Sequence, residues 1–259
     1  MGKDAIPEIN QIICFVNSLS PVFIGGKAVL YTDRTGRRDR GMQEKKEPIL
    51  LRTTAEWVTC VKPAGVDSEK ELPRILGEML GEQALRPVHR LDMNVGGVMV
   101  YARSPKAAAE LSRLIQNGLF QKDYLALVHG SLTREGRMED LLWKDSRQNK
   151  VFVVRRVRQG VHRASLSWRR LFIVREDQTA VAVHLETGRS HQIRVQFASR
   201  GCPVWGDHKY GARDHEKELL LFSHQIHFPW KGQPISMKAW PDWWPSENES
   251  GSEPEGSKG

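Results

Sequence analysis

An acidic residue stands among basic residues and glycines near the middle of the chain. The segment PVHRLDMN covers residues 87–94 and contains Asp92, and Gly96, Gly97 and an apolar stretch follow it. Glycines at the junction of a loop and a strand let another backbone or a ligand approach closely. By itself the segment is more typical of a surface ion pair between Arg90 and Asp92. Its chemistry therefore depends on the segments that accompany it.

A second polar segment, ETGRSHQIR (Glu186–Arg194), has basic and hydrogen-bonding residues at a predicted helix start, where anions bind well. We predict a helix over 190–200, capped by Ser190 and ended by Gly201. In such a helix Arg194 lies one turn after Ser190, and Ile193 and Phe197 face the core. An amphipathic helix with ordinary exposed arginines fits the same pattern.

The elements around these segments read as a mixture of strands and helices. A helix is predicted to begin at Pro105, because Ala107, Leu111, Leu114 and Ile115 follow at helical spacing. Apolar, β-branched runs predict strands at 57–61, 97–102, 124–128, 151–157, 166–174 and 180–185. Strands and helices do not alternate strictly, so we expect an α+β fold rather than a doubly wound one.

The composition favours a globular protein that attracts a polyanion. The 259 residues carry a net charge of +8. The last fourteen residues hold four glutamates and one lysine, so residues 1–245 carry +11. A basic body of this size suits phosphate contacts, although charge alone also fits any soluble basic protein.

The cysteines and the hydropathy pattern indicate a cytoplasmic protein. Cys14, Cys60 and Cys202 are odd in number and widely spaced, which argues against disulfides and a zinc ribbon. We find no transmembrane stretch, and Ile12–Val16 is too short for a signal peptide.

We predict three regions. Residues 1–50 form an N-terminal extension of unclear structure, with Ile12–Val16 as its one apolar run. Residues 51–245 form the main globular domain, which contains both polar segments. Residues 246–259, mainly Ser, Glu and Gly, form a disordered acidic tail.

In their order, several motifs together resemble the RluA-type family of RNA pseudouridine synthases. The shared pieces, which span about residues 55–240, are KPAG (62–65), HRLD (89–92), GGVMVYAR (96–103), KDYLALVHG (122–130), ETGRSHQIR (186–194), GCPVWGDHKYG (201–211) and LLLFSHQIHF (219–228). Each piece is modest alone, but their order and spacing are specific. The resemblance implies a mixed, largely antiparallel central sheet flanked by helices and loops, with a catalytic cleft. It also implies isomerisation of specific uridines in ribosomal or transfer RNA.

The resemblance implies a role for each matching residue. Asp92 matches the catalytic carboxylate, which attacks the sugar, adds to the base or removes a proton. Arg194 matches the arginine that pairs with it, and Tyr124 matches the tyrosine that stacks on the flipped uracil. We expect Arg90 to fill the stack that the base vacates. His89, Arg189 and His191 are the other expected substrate-binding residues.

The chain departs from the family pattern in two places. Gln196 stands where the family usually has a histidine, which we expect to affect the packing of the helix. The small basic RNA-binding module that many members carry is not recognisable in residues 1–50, and this bears on substrate selection.

Two other functions remain open from the sequence. A non-catalytic RNA-binding protein could keep the fold, but it would not need Asp92, Tyr124 and Arg194 together. A metal hydrolase could use His224 with His227, or Asp207 with His208, but a third ligand is not evident. We expect no cofactor, no metal, no membrane or DNA partner, and a monomer that binds RNA.

Overall fold

The computed structural model describes residues 47–82 and 85–244, together with the backbone of 22–24 and 27–29. The chain separates into two compact units, Met1–Glu44 and Lys45–Gly259. The first contains an antiparallel pair of short strands, β1 (Val22–Ile24) and β2 (Lys27–Val29), which the sequence did not predict. Ile12–Val16 and the acidic tail lie outside the described residues, and the predicted three-region division stays a prediction.

The second unit is built on one large sheet. Its strands are β3 (Ile49–Thr53), β4 (Trp57–Lys62), β5 (Arg86–Pro87), β6 (Gly96–Ala102), β7 (Gln121–His129), β8 (Glu135–Asp145), β9 (Lys150–Val154), β10 (Val161–Arg175), β11 (Gln178–Leu185), β12 (Leu221–Trp230) and β13 (Gln233–Lys238). The order is β3-β4-β6-β12-β7-β11-β10-β8-β9, with β13 beside β12 and β5 beside β6. Only β6 and β12 pair in parallel among the described strands. The predicted mixed, largely antiparallel α+β sheet is confirmed.

Three helices cover the sheet: α1 (Glu71–Leu80), α2 (Pro105–Gln116) and α3 (Gln192–Ala198). Helix α2 begins at Pro105 as predicted, and Ser104 caps it by accepting a hydrogen bond from the Ala107 N–H. No helix in the ranges 47–82 and 85–244 combines the length and the apolar character needed to cross a membrane.

The central strand β6 is buried on both faces, and its alternate side chains define two cores. Val98 and Val100 pack with α2 on one face. Met99 and Tyr101 pack on the other face, with side chains from α1 and α3. Tyr124 belongs to this second core. The residues that could carry out chemistry therefore lie on the face of the sheet that carries α1 and α3.

Where β6 meets β12, only glycine fits. Gly97 pairs with Ser223, and a Cβ at Gly97 would lie 2.3 Å from the Ser223 carbonyl oxygen. Its φ of +127° is also one that side-chain-bearing residues rarely adopt. The glycine after Asp92 thus brings two central strands together, so the expected close approach is to a neighbouring backbone.

The predicted start of the helix that carries Arg194 is wrong. Helix α3 begins at Gln192, its N-cap is His191 with φ +50°, and Ser190 does not cap it. The Gln192 side-chain oxygen instead accepts from the Arg189 N–H at 3.0 Å and from the Thr187 hydroxyl at 2.7 Å. These bonds hold 187–191 in a turn, because they satisfy polar groups that a longer helix would use. The strand predicted at 151–157 is also shorter and ends at Val154.

Candidate active site

The loop that carries Asp92 is fastened to the turn after β4. The Ser68 hydroxyl donates to the Leu91 carbonyl at 2.9 Å, and the Gly65 N–H donates to the Met93 carbonyl at 2.8 Å. The two residues that flank Asp92 are thus held through their backbone. This support fixes the carboxylate independently of its own side-chain contacts.

Lys62 completes this support from the end of β4. It is fully buried, and its ammonium donates to three carbonyls, those of Pro63, Val66 and Met93, at 2.7–2.9 Å. Burial lowers the pKa of Lys62 to about 8, because the charged form loses its hydration. The three carbonyls replace that hydration and tie the turn to the Asp92 loop.

We expect Lys62→Met to lower the free energy of unfolding by about 2–4 kcal/mol, because the Pro63 and Val66 carbonyls lose the ammonium donor, while the Met93 carbonyl keeps only the Gly65 N–H. Urea denaturation measures this change. Lys106→Met, at an exposed position of α2, is the matched control and should change stability by less than about 0.5 kcal/mol. Equal stability of the two variants would show that the carbonyls find other donors.

Arg194 links two carboxylates. Its Nε and Nη2 donate to the two oxygens of Asp207 at 2.7 and 2.8 Å, and its Nη1 donates to Asp92 Oδ2 at 3.1 Å. Burial disfavours the charge of Arg194, but the bonds to Asp207 and the charge of Asp92 raise its pKa above the usual value. Asp207 is 2% exposed and binds the guanidinium in a bidentate manner, with one hydrogen bond to each carboxylate oxygen. Asp207 therefore aims the third nitrogen at Asp92.

One oxygen of Asp92 is left free. Within the described part of the chain, Arg194 is the hydrogen-bond partner of Oδ2, and Oδ1 has none. The His191 Nε2 lies 3.8 Å from Oδ2, beyond hydrogen-bond distance. The carboxylate thus lies beside a permanent cation, with a lone-pair-bearing oxygen available for reaction.

His191 and Tyr210 lie beside this pair. The Tyr210 hydroxyl accepts from the Val151 N–H at 2.8 Å and lies 2.8 Å from the His191 Nδ1. The Tyr210 ring also lies under Arg194, with 5.1 Å from the ring centroid to Cζ. Burial lowers the pKa of His191, although the Asp92 charge opposes this, so the imidazole is held toward its neutral form.

Tyr124 lies in the wall of the same cavity. Burial and the Asp92 charge raise the pKa of its hydroxyl above the usual value. The ring is therefore a neutral aromatic surface with a protonated hydroxyl at neutral pH. This state suits a stacking platform and a proton donor better than a base.

The remaining predicted residues occupy different positions around the cavity. Arg90 is exposed and pairs with Glu69 at 2.7 Å, not with Asp92, so the simple surface pair between Arg90 and Asp92 is absent. His89 accepts from the Val100 N–H at 3.2 Å, and burial lowers its pKa to about 3, which keeps the ring neutral. Arg189 is exposed and donates through Nε to the Arg163 carbonyl.

These side chains surround a cavity of about 340 Å³. All seven predicted residues line it: Arg90, His89, Asp92, Tyr124, Arg189, His191 and Arg194. Apolar side chains complete the wall, among them Val95, Leu185, Ile193 and Leu221. An apolar pocket with a few convergent polar groups and a carboxylate at its base is a typical catalytic site.

Three of the four residues considered for metal binding, Asp207, His208 and His224, are engaged otherwise. Asp207 is bound by Arg194, and both ring nitrogens of His208 lie within hydrogen-bond distance of backbone carbonyls. His224 Nδ1 lies 2.6 Å from the Ala239 carbonyl. Over the described residues, no group of three or more His, Cys, Asp or Glu side chains is arranged to hold a metal ion.

Gln196, the departure from the family pattern, is buried in α3. Its amide donates to Asp140 at 2.7 Å and to the Met138 carbonyl at 3.3 Å, and both acceptors belong to β8. Gln196 therefore ties the helix that carries Arg194 to the sheet.

Comparisons with known proteins identify the family of this chain. Residues 56–199, more than half of the chain, match the family model described as RNA pseudouridylate synthase. An uncharacterized RNA pseudouridine synthase of Aquifex aeolicus is 37% identical over 136 residues, which cover 51% of this chain and 42% of that protein. The ribosomal large subunit pseudouridine synthase D of Nitrosomonas europaea is 35% identical over 127 residues, which cover 48% of this chain and 35% of that protein. The chain thus spans about half or less of the length of these relatives.

Two solved structures share the fold. Human RNA Pseudouridylate Synthase Domain Containing 1 has a TM-score of 0.67 at 20% identity, over 77% of this chain and 85% of that one. Human RNA Pseudouridylate Synthase Domain Containing 4 has a TM-score of 0.64 at 22% identity, over 75% of this chain and 89% of that one. The chain belongs to the RNA pseudouridylate synthase family.

Proposed function

We propose that the protein isomerises specific uridines in RNA to pseudouridine, with Asp92 as the catalytic carboxylate. The observation that carries this proposal is the half-buried Asp92, with one oxygen held by Arg194 and the other free, at the base of a cavity with an aromatic wall. The names of relatives as ribosomal large subunit synthases favour ribosomal RNA as the substrate, with transfer RNA as the second candidate.

The isomerisation needs little besides a positioned carboxylate. The C1′–N1 bond breaks, the uracil turns, a C1′–C5 bond forms, and the proton lost from C5 is balanced by one gained at N1. The free oxygen of Asp92 serves as the nucleophile on the sugar or on the base, or as the base that removes a proton. Arg194 donates to the other oxygen and holds the carboxylate in place. The reaction has no net oxidation, so we also propose that it needs neither metal nor cofactor.

Tyr124 and Arg90 would assist base flipping. The buried Tyr124 ring offers the uracil a stacking surface, worth about 1–3 kcal/mol. Arg90 is held by Glu69 alone, in an exposed pair of about 0–1 kcal/mol. Arg90 can therefore leave Glu69 and enter the gap that the flipped base leaves in the RNA, at little cost in free energy.

Basic residues concentrate beside the cavity. Residues 146–175 contain nine lysines and arginines and no acidic residue. We define the basic strip as six residues on edge strand β9, its flanking loops and the start of β10: Arg147, Lys150, Arg155, Arg156, Arg158 and Arg163. It adjoins the site, because Val151 bonds to Tyr210 and Arg163 bonds to Arg189. The strip suits the phosphates of an RNA whose target uridine enters the cavity.

We expect the triple variant Arg155→Gln, Arg156→Gln, Arg158→Gln to weaken RNA binding and to reduce the slope of log K against log salt by about 2–3, since fewer counterions are released. Filter binding of ribosomal RNA at several salt concentrations measures this slope. The matched control replaces Arg74, Lys106 and Arg113, exposed on α1 and α2, by Gln and should leave the slope unchanged. Equal slopes for both triple variants would place the RNA elsewhere.

We also propose that the protein acts in the cytoplasm as a monomer on RNA rather than DNA. The described cysteines, Cys60 and Cys202, are unpaired, as expected in a reducing compartment.

The test of the proposed function is a comparison of pseudouridine maps of cellular RNA with and without the protein. We expect one or a few uridines to lose modification when the protein is absent, and to regain it on re-expression. Identical maps would leave the non-catalytic RNA-binding alternative as the better account.

A further inference from the structure

A second cavity adjoins the candidate active site. It measures about 520 Å³ and shares Ile115, Lys122, Leu185, Gly188 and Arg189 with the first cavity. Its other lining residues include Phe120, Gln116, Gln121 and His184. This space is larger than the first cavity, shares a wall with it and is lined by an aromatic ring and amide groups, so it is of a size to receive a nucleotide.

Lys122 occupies the shared wall and is the unusual residue there. It precedes Tyr124 by two positions on β7, so both side chains point to the same face of the sheet. A Cβ at Gly188 would lie 2.9 Å from the Lys122 Nζ, so the glycine makes room for the ammonium. The site thus places a cation at the junction of the two cavities.

The contrast with Lys62 shows what Lys122 lacks. Lys62 is fully buried and Lys122 is partly buried, and burial lowers the pKa of both. The Lys62 ammonium donates to three carbonyls, whereas the Lys122 ammonium has no hydrogen bond or ion pair with any residue in 47–82 or 85–244. A half-buried cation without a partner loses hydration and gains nothing, unless a bound group supplies the acceptor.

The charges of the second cavity favour an anion as that group. Its acidic side chain, Glu186, forms a salt bridge with Arg137 at 2.6 Å. The carboxylate of the neighbouring Asp123 lies 2.7 Å from the His184 Nδ1. Arg189 has no carboxylate partner among the described residues. The unneutralised charges at the shared wall are therefore the positive ones, those of Lys122 and Arg189.

We propose that the second cavity binds the nucleotide next to the target uridine, and that Lys122 donates to the phosphate that joins the two nucleotides. This inference rests on the proposed function, because the first cavity must hold the uridine. RNA has one phosphate between each pair of nucleosides, and the shared wall is where that phosphate lies when the two cavities hold successive nucleotides. Lys122 is thus a substrate-binding residue that makes recognition depend on the neighbour of the uridine.

The test uses an RNA stem-loop with the mapped target uridine, in which the phosphate on either side is replaced, one at a time, by an uncharged methylphosphonate. In the wild-type protein we expect one replacement to raise KM about tenfold or more, as for loss of a charged hydrogen bond, with little change in kcat. Lys122→Met should raise KM similarly on unmodified RNA and should not respond further to that replacement. Lys106→Met is the exposed control and should behave as wild type.

Two outcomes would overturn the subsite. One is that Lys122→Met responds to both replacements as fully as the wild type does, and the other is that it keeps the wild-type KM on unmodified RNA. If Lys122→Met melts at a lower temperature, Lys122→Gln serves instead, because it keeps a polar chain without the charge. If the wild-type protein forms no pseudouridine, the proposed function is refuted. If the wild-type protein is active but the effects of Lys122→Met and of the phosphate replacement are independent, only the subsite is refuted.

Discussion

Asp92→Asn is expected to abolish pseudouridine formation, by at least about 10³-fold, while RNA affinity stays within a few-fold of wild type. Asparagine is nearly isosteric with aspartate, but it has no anionic oxygen to attack the sugar or base or to take a proton. The backbone of the Asp92 loop is held by Lys62 and Ser68, so the substitution should not displace it. Nucleoside mass spectrometry after single turnover measures the rate.

The control for this variant is its stability. Arg194 keeps both bonds to Asp207 when Asp92 becomes neutral, so the melting temperature should change little. Near-wild-type turnover by a folded Asp92→Asn protein would end the catalytic assignment and favour a role in RNA binding alone.

Arg194→Ala is expected to reduce kcat by about 10²-fold or more and to destabilise the fold by about 3–5 kcal/mol. The activity falls because Asp92 loses the cation that holds its charge and orientation. The stability falls because Asp207, 2% exposed, becomes a buried carboxylate without its counter-charge. Single-turnover rates at saturating RNA and urea denaturation measure the two effects.

Two further variants separate the effects. Arg194→Lys keeps the charge without the planar fork, so it should restore part of the stability and less of the rate. Arg194→Ala with Asp207→Asn should recover stability but not activity, because the buried charge is gone while Asp92 remains unsupported. An Ala variant with an unchanged single-turnover rate would contradict the pairing of Arg194 with Asp92.

The sequence located the side chains around the cavity but not how they are held. Asp92, Tyr124 and Arg194 were found through motifs in a recognisable order, and the structure gathers all three at one cavity. Asp207 was considered only as a metal ligand. Its role with Arg194 depends on a contact over 13 positions of chain, which no local pattern encodes. Its place in the GDHKYG motif was the available signal.

Lys62 and Lys122 show the same limit. Both fall in motifs that were quoted, KPAG and KDYLALVHG, but a lysine in a sequence is usually an exposed charge. The first proved to be a buried anchor for the Asp92 loop, and the second lines two cavities. Burial of a charged group comes from the packing of distant segments, so it is read from the structure.

Local propensity explains the elements that were missed. Helix α1 contains Pro73 and Gly77, which disfavour helices, although Pro73 lies in the first turn where proline is tolerated. Strand β8 has charged residues along most of its length and buries few, including Met138 and Leu142. The end of α3 was better predicted, since Gly201 follows closely after it with φ +77°.

The most direct test of the central claim is tritium release from unmodified RNA that carries [5-³H]uridine. Isomerisation exchanges the hydrogen at C5, so each uridine converted releases its label to water. We predict that the purified protein releases tritium from ribosomal RNA, or from transfer RNA, in an amount equal to the number of mapped uridines, and that the Asp92→Asn protein releases none. Failure of the folded wild-type protein to release label from either RNA, or equal release by both proteins, would contradict the account.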